Sequence, residues 1–208
     1  PTGIRANKMK LTSTIFGLPA PIRIARPVGR LFLIVLMAGG WTFNSFTQGT
    51  WVAKTSMGGA SRIRAVGFSI GTKGYIGTGT LDQSQFPIYM DLWEWDQGTN
   101  AWSQKADFPP GARLGAVGFS IGTKGYIGTG SDGAFTPVLF KDLWEWDQGT
   151  NTWTQRTSMP AAASARHAAV GFSIGTKGYI GTGIGGSTLN DFWEWDQATD
   201  TWTARANF

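Results

Sequence analysis

The chain has 208 residues, enough for one ordinary domain or a domain plus a processing segment, and its lack of cysteine excludes a disulfide framework, a thiolate zinc site and a cysteine nucleophile. Thirty glycines without a triplet period, beside eleven tryptophans and thirteen phenylalanines, exclude both collagen and a solvating disordered chain. The net charge of +5 comes from the first thirty residues; from Gln48 onward twelve Lys and Arg face thirteen Asp and Glu, so no nucleic-acid partner is expected.

Residues 1–47 differ in character from the rest. Arg23, Arg26 and Arg30 precede the apolar run Leu31 to Ala38, too short for a membrane span of about 20 residues. A basic flank, a short apolar core and small residues at Ser45 and Thr47 describe a secretory signal cleaved before Gln48. The domain reading is therefore a signal-peptide-like leader over 1–47 and a folded segment over 48–208. A secreted or cell-surface location is expected, with no stable membrane span once the leader is removed.

Trp51 to Lys54 matches Trp102 to Lys105, which predicts a lone strand over 51–56. Three near-copies of one unit follow, at about 57–108, 109–159 and 160–208. The fifteen residues Ala65 to Gly79 recur without change at Ala116 to Gly130 and Ala169 to Gly183. Asp91 to Asn100 recurs at Asp142 to Asn151 and, slightly altered, at Asp191 to Asp200. Each unit reads as four strands. Val66 to Ile70 and Tyr75 to Thr78 flank the turn Gly71-Thr72-Lys73-Gly74. Leu92 to Trp95 alternates Leu and Glu with two tryptophans, and the turn formers Asp96 to Asn100 lead into an outer strand, Ala101 to Lys105. Such four-stranded units cover their faces by radial stacking.

The glycine-rich strand end Gly77-Thr78-Gly79, the aromatic Trp95, and Trp102 with six residues between them resemble the kelch motif, three times over residues 51–208. Threonine splits the glycine pair here, and Trp95, Trp146 and Trp195 stand where the motif has tyrosine. The resemblance implies an all-β, kelch-type β-propeller segment of three four-stranded antiparallel blades plus one extra N-terminal strand. Closed propellers typically have about 4–8 blades. A segment of a longer propeller is therefore expected, closed by further blades, with self-association of two copies as the alternative.

In such a meander the 2–3 and 4–1 loops share one rim, and these vary where the other rim is constant. Asp82, Gln83, Gln85, Tyr89, Asp132, Phe135 and Phe140 lie in the variable loops and offer polar groups beside aromatic rings, suited to a protein or glycan ligand. Arg62, Arg113 and Arg166 imitate the arginine cluster of sialidases, and Glu94, Glu145 and Glu194 imitate catalytic carboxylates. Each occurs once per blade at one position, however, so both sets read as structural, with Arg paired to Glu. Trp95, Trp146 and Trp195, with Trp102, Trp153 and Trp202, read as packing between blades. His167 stands where Ile63 and Leu114 stand in the other units and reads as a rim or packing residue. One histidine and no cysteine cannot build a copper-radical site like that of the galactose oxidase propeller; no cofactor and no metal are expected. The formal GxGxxG at Gly181 to Gly186 leads into a loop and strand, not a helix, so it is no phosphate cradle.

The leading expectation is a non-catalytic, exported scaffold that binds a protein or glycan through its variable loop face. The alternatives are a kelch-propeller enzyme acting on sugars, such as a sialic-acid mutarotase, and a purely structural surface module.

Overall fold

Alternation within VGFSI decides how the blades form: Val, Phe and Ile leave one face of the strand, while Gly and Ser leave the other. The computed structural model describes residues 49–83 and 86–207, and these form three four-stranded antiparallel sheets. The leader lies outside the described residues. Blade 1 holds β1 (Val66–Ile70), β2 (Lys73–Gly77), β3 (Leu92–Asp96) and β4 (Ala101–Lys105). Blade 2 holds β5 (Val117–Ile121), β6 (Lys124–Gly128), β7 (Leu143–Asp147) and β8 (Thr152–Arg156). Blade 3 holds β9 (Val170–Ile174), β10 (Lys177–Gly181), β11 (Phe192–Asp196) and β12 (Thr201–Arg205). Strand order in each sheet follows the chain, and β1, β5 and β9 are the neighbouring inner strands. Among the described residues no helix is long and apolar enough to cross a membrane.

Two boundaries differ from the sequence reading. The inner hairpin closes on Gly71 and Thr72 alone, because Ile70 pairs with Lys73. Gly71 takes φ +57°, the glycine-first pattern of a two-residue hairpin. Thr78, expected at the end of β2, lies past it with φ +56°. The strand expected over 51–56 is not a strand. No strand among the described residues lies beside it to complete a ladder, and Trp51 is fully exposed. The segment still keeps the register of its copies: Thr55 O accepts from Trp102 Nε1 at 2.9 Å, as Ala106 O does from Trp153 and Thr157 O from Trp202.

The core lies between blades. Val66 and Phe68 of β1 meet Gly118 and Gly125 of blade 2; a Cβ on Gly125 would stand 2.5 Å from Phe68 Cζ, so only glycine admits the ring. The same contact recurs between Phe119 and Gly178. Tyr75 packs on Trp146 and Tyr126 on Trp195, with centroids 5.1 and 5.0 Å apart. Ser120 Oγ donates to Ser69 O, and Ser173 Oγ to Ser120 O, each at 2.6 Å. The Val, Phe and Ile faces of blades 1 and 2 thus enter the small-residue face of the following blade.

Candidate functional site

The repeated charges form two separate layers. Arg62, Arg113 and Arg166 pair with Asp91, Asp142 and Asp191, and not with the glutamates as the sequence implied. Each guanidinium grips its carboxylate through Nη1 and Nη2, and Nη1 also donates to the carbonyl of Thr78, Thr129 or Thr182. Trp93, Trp144 and Trp193 complete those carboxylates through Nε1. Burial alone would raise Asp91, but the hydrogen bonds from Arg62 and Trp93 outweigh it and hold the carboxyl low. The left-handed Thr78, Thr129 and Thr182 are strained for a β-branched residue, and their turned carbonyls are what the arginines hold.

The glutamates sit at the centre of each sheet. Glu94 accepts from Lys73 Nζ at 2.8 Å and Tyr75 OH at 2.7 Å, and pairs with Lys105 at 3.1 Å. Glu145 takes Tyr126 and the fork of Arg156; Glu194 takes Lys177 and the fork of Arg205. Register explains it: Tyr75 stands opposite Glu94, which stands opposite Ser103, so the carboxylate lies between β2 and β4. Burial and the adjacent Glu94 push the Tyr75 hydroxyl far up, so it remains a donor. Both layers are occupied in binding the sheets together.

The loop residues separate into two groups. Tyr89 lies under the Arg62 guanidinium, 4.6 Å from its centroid, and Phe140 under that of Arg113 at 4.4 Å, so both rings wall the arginine layer. Asp132 Oδ1 caps its own loop by accepting from Ala134 N and Val138 N. Asp82 and Gln83 are exposed, Phe135 fully so, and Gln85 lies outside the described residues.

Unlike side chains from different blades meet at the inner end of this rim. Isolated bridges tie Ile63 to Thr80, Leu114 to Ser131 and His167 to Ile184, folding each 2–3 loop over the start of an inner strand. One residue on, Arg64, Gly115 and Ala168 all take left-handed φ, at 55°, 62° and 53°. They are linked from blade to blade: Gly115 N donates to Arg64 O at 3.0 Å and Ala168 N to Gly115 O at 2.8 Å. An open pocket of about 310 Å³ lies there, lined by Arg64, Ala65, Gly115, Ala116, His167, Ala168 and Ile184. Arg64 is the exposed cation of this pocket and His167 its half-buried base. Burial, then the positive charge of Arg64, lowers the His167 pKa and keeps the imidazole neutral near neutral pH. Among the described residues no three His, Asp or Glu side chains gather as a metal site.

Sequence reasoning reads His167 as a rim or packing residue and passes over Arg64. The signal was available: immediately before the invariant Ala65 to Gly79 block the copies read Arg-Ile-Arg, Arg-Leu-Gly and Arg-His-Ala, constant at the structural arginine and divergent at the next two positions.

No family model matches the sequence. Over 100 residues, 46% of this chain, it is 32% identical to the N-acetylneuraminate epimerase of Vibrio vulnificus (strain YJ016). The chain spans about a quarter of that relative's length. The solved structure of YjhT superposes with a TM-score of 0.65 at 18% identity, over 76% of this chain and 56% of that one. The fold is a kelch-like β-propeller segment. The expectation of a non-catalytic scaffold is corrected by the first of these relatives, since the protein that is 32% identical over 100 residues is named an N-acetylneuraminate epimerase, and the enzymatic alternative fits it better.

Proposed function

We propose that this chain forms part of a propeller enzyme that interconverts the anomers of an acidic sugar of the N-acetylneuraminate class, at the pocket between Arg64 and His167. The observation that carries the reading is the 32% identity to an N-acetylneuraminate epimerase, in a chain whose inner rim gathers one cation and one neutral base from different blades. Arg64 supplies a fixed charge for the sugar carboxylate. Neutral His167 takes the proton of the anomeric hydroxyl as the bond from the anomeric carbon to the ring oxygen breaks, and the ring oxygen takes a proton from water in the open pocket, which the imidazolium gives back to solvent. Rotation about the adjacent carbon–carbon bond and reclosure on the opposite face give the other anomer, with the proton returned. No oxidant or cofactor enters the balance.

Export of this enzyme is proposed as well, on the basic flank Arg23, Arg26 and Arg30 ahead of the apolar run Leu31 to Ala38.

Exchange NMR on N-acetylneuraminate with the full chain tests the activity. Faster anomer exchange that falls at least about tenfold in both Arg64→Met and His167→Ala is expected, in line with the weight of general acid–base catalysis. No acceleration by the wild type, or full acceleration by either variant, would overturn it.

A further inference from the structure

The bridge pairs that precede the left-handed residues of the inner rim are alike in blades 1 and 2 and inverted in blade 3. Ile63 stands opposite Thr80 and Leu114 opposite Ser131, so the apolar member leads the inner strand and a buried hydroxyl residue lies on the 2–3 loop. In blade 3 His167 stands opposite Ile184: the loop side now carries the apolar group, and it is 42% exposed. The two residues exchange both backbone bonds, at 3.1 and 2.9 Å. Residues opposed in that way share a face of the ladder with Cα atoms about 5.5 Å apart, which sets the Ile184 side chain beside the imidazole. Gly115 leaves the floor free, since a Cβ there would stand 3.6 Å from His167 Nδ1. Of the described residues lining the pocket, only Arg64 and His167 can hydrogen-bond through a side chain; Ala65, Ala116, Ala168 and Ile184 offer methyl groups.

On the reading of anomer exchange above, we propose that Ile184 is a specificity residue that selects sugar acids with a methylene beside the anomeric carbon, the 3-deoxy-2-ulosonic acids. The anomeric carbon of such an acid carries four groups. Its carboxylate goes to Arg64, its hydroxyl to His167, and the ring oxygen faces the water of the open pocket; C3 is left against Ile184. A methylene gives up nothing by leaving water there. A hydroxyl on C3 would lose water beside a side chain that cannot hydrogen-bond, and that unpaired group weakens transition-state binding. An apolar wall rejects an added hydroxyl by at most about a hundredfold, and an open pocket returns part of the water, so about tenfold is expected.

Exchange NMR on N-acetylneuraminate and on its 3-hydroxy derivative, with the full chain, tests the selection. The wild type is expected to favour the 3-deoxy sugar about tenfold in kcat/KM, and Ile184→Thr to bring the ratio below about threefold. Threonine already stands in this bridge at Thr80, so the blade accepts it, and a ratio of two sugars on one sample is blind to any unfolded fraction. A wild-type ratio below about threefold, or one that Ile184→Thr leaves in place, overturns Ile184 as the selector while anomer exchange stands. The NMR signal of His167, the one histidine of the chain, distinguishes the reverse case. If neither sugar is interconverted faster, the exchange reading falls, and titration of each sugar followed at that imidazole decides the selector by itself. Tighter binding of the 3-deoxy sugar that is lost in Ile184→Thr sustains it; equal affinities, or no shift with either sugar, overturn it.

Discussion

Replacing Arg113 with Met removes a charge from one of the least accessible places in the segment. The side chain is 1% exposed, forks onto Asp142 at 2.7 and 3.0 Å, and lies between Phe108 and Phe140 with ring centroids at 4.5 and 4.4 Å. Met keeps most of the volume between the rings, so the loss is dominated by the carboxylate left behind. Breaking a buried pair by removing one partner costs about 3–5 kcal/mol. The lower end applies, because Asp142 is 17% exposed and keeps the hydrogen bond from Trp144 Nε1. For a domain of this size about 3 kcal/mol corresponds to a fall in Tm of roughly 6–12 °C. Urea and thermal unfolding followed by tryptophan fluorescence read it directly. The double variant Arg113→Met with Asp142→Asn leaves no orphaned charge and is expected to recover part of the loss. Arg64→Met, at an exposed position, should stay within about 0.5 kcal/mol of the wild type. A loss below about 1 kcal/mol for Arg113→Met, or a double variant less stable than the single, would refute the assignment of the buried charge layer as the clamp between strands.

Other outcomes follow from the blade contacts and the carboxylates. Gly125→Ala and Gly178→Ala each drive a methyl into the phenylalanine of the preceding blade, and overpacking of this kind costs about 1–3 kcal/mol; denaturant midpoints check it. Tyr126→Phe removes the hydroxyl that donates to Glu145 and accepts from Gln197, a loss of about 1–2 kcal/mol measured by the same unfolding curves. Acid should unfold the segment by titrating its paired carboxylates. Arg205 first, then Lys177, hold Glu194 at about 2 against its ordinary 4.5. Because the folded state binds that proton less tightly than the unfolded one, the contribution is complete above about pH 4.5 and lost as pH falls toward 2. Asp91, Glu94 and Asp191 shift in the same direction, so a stability–pH profile that is flat between 5 and 2 would contradict these pairings.

The repeat made the architecture readable before any coordinates: fifteen identical residues fix the inner hairpin three times, and the period-two pattern of Leu92 to Trp95 fixes which face holds Glu94. Partner choice was not readable. Asp91 and Glu94 are both acids, both once per blade, and three residues apart; only the pairing of Tyr75 with Glu94 places the glutamate inside the sheet and leaves the aspartate for Arg62. Tyr89 and Phe140 read as ligand-facing aromatics because sequence shows that a loop varies, not where its side chains turn. They turn inward onto guanidinium groups. Arg64 was obscured because its place beside His167 at the inner rim is a property of three blades together that no one copy displays.

Identity among the blades also bears on how the chain finds its structure. β2 pairs as well with β7 as with β3 as far as side chains are concerned, since Leu92 to Asp96 and Leu143 to Asp147 are the same five residues. What separates right from wrong at the first encounter is the length of chain to be looped: 15 residues from Gly77 to Leu92, against 66 from Gly77 to Leu143. Loop-closure entropy favours the shorter by only about 1.3 kcal/mol, roughly a tenfold bias. Between these two partners, about one first pairing in ten therefore joins the wrong strand. Such a mispairing has to reopen before the glycine faces can close on their phenylalanines, so sameness among the blades is itself a source of misassembly that a chain of unlike strands would not carry.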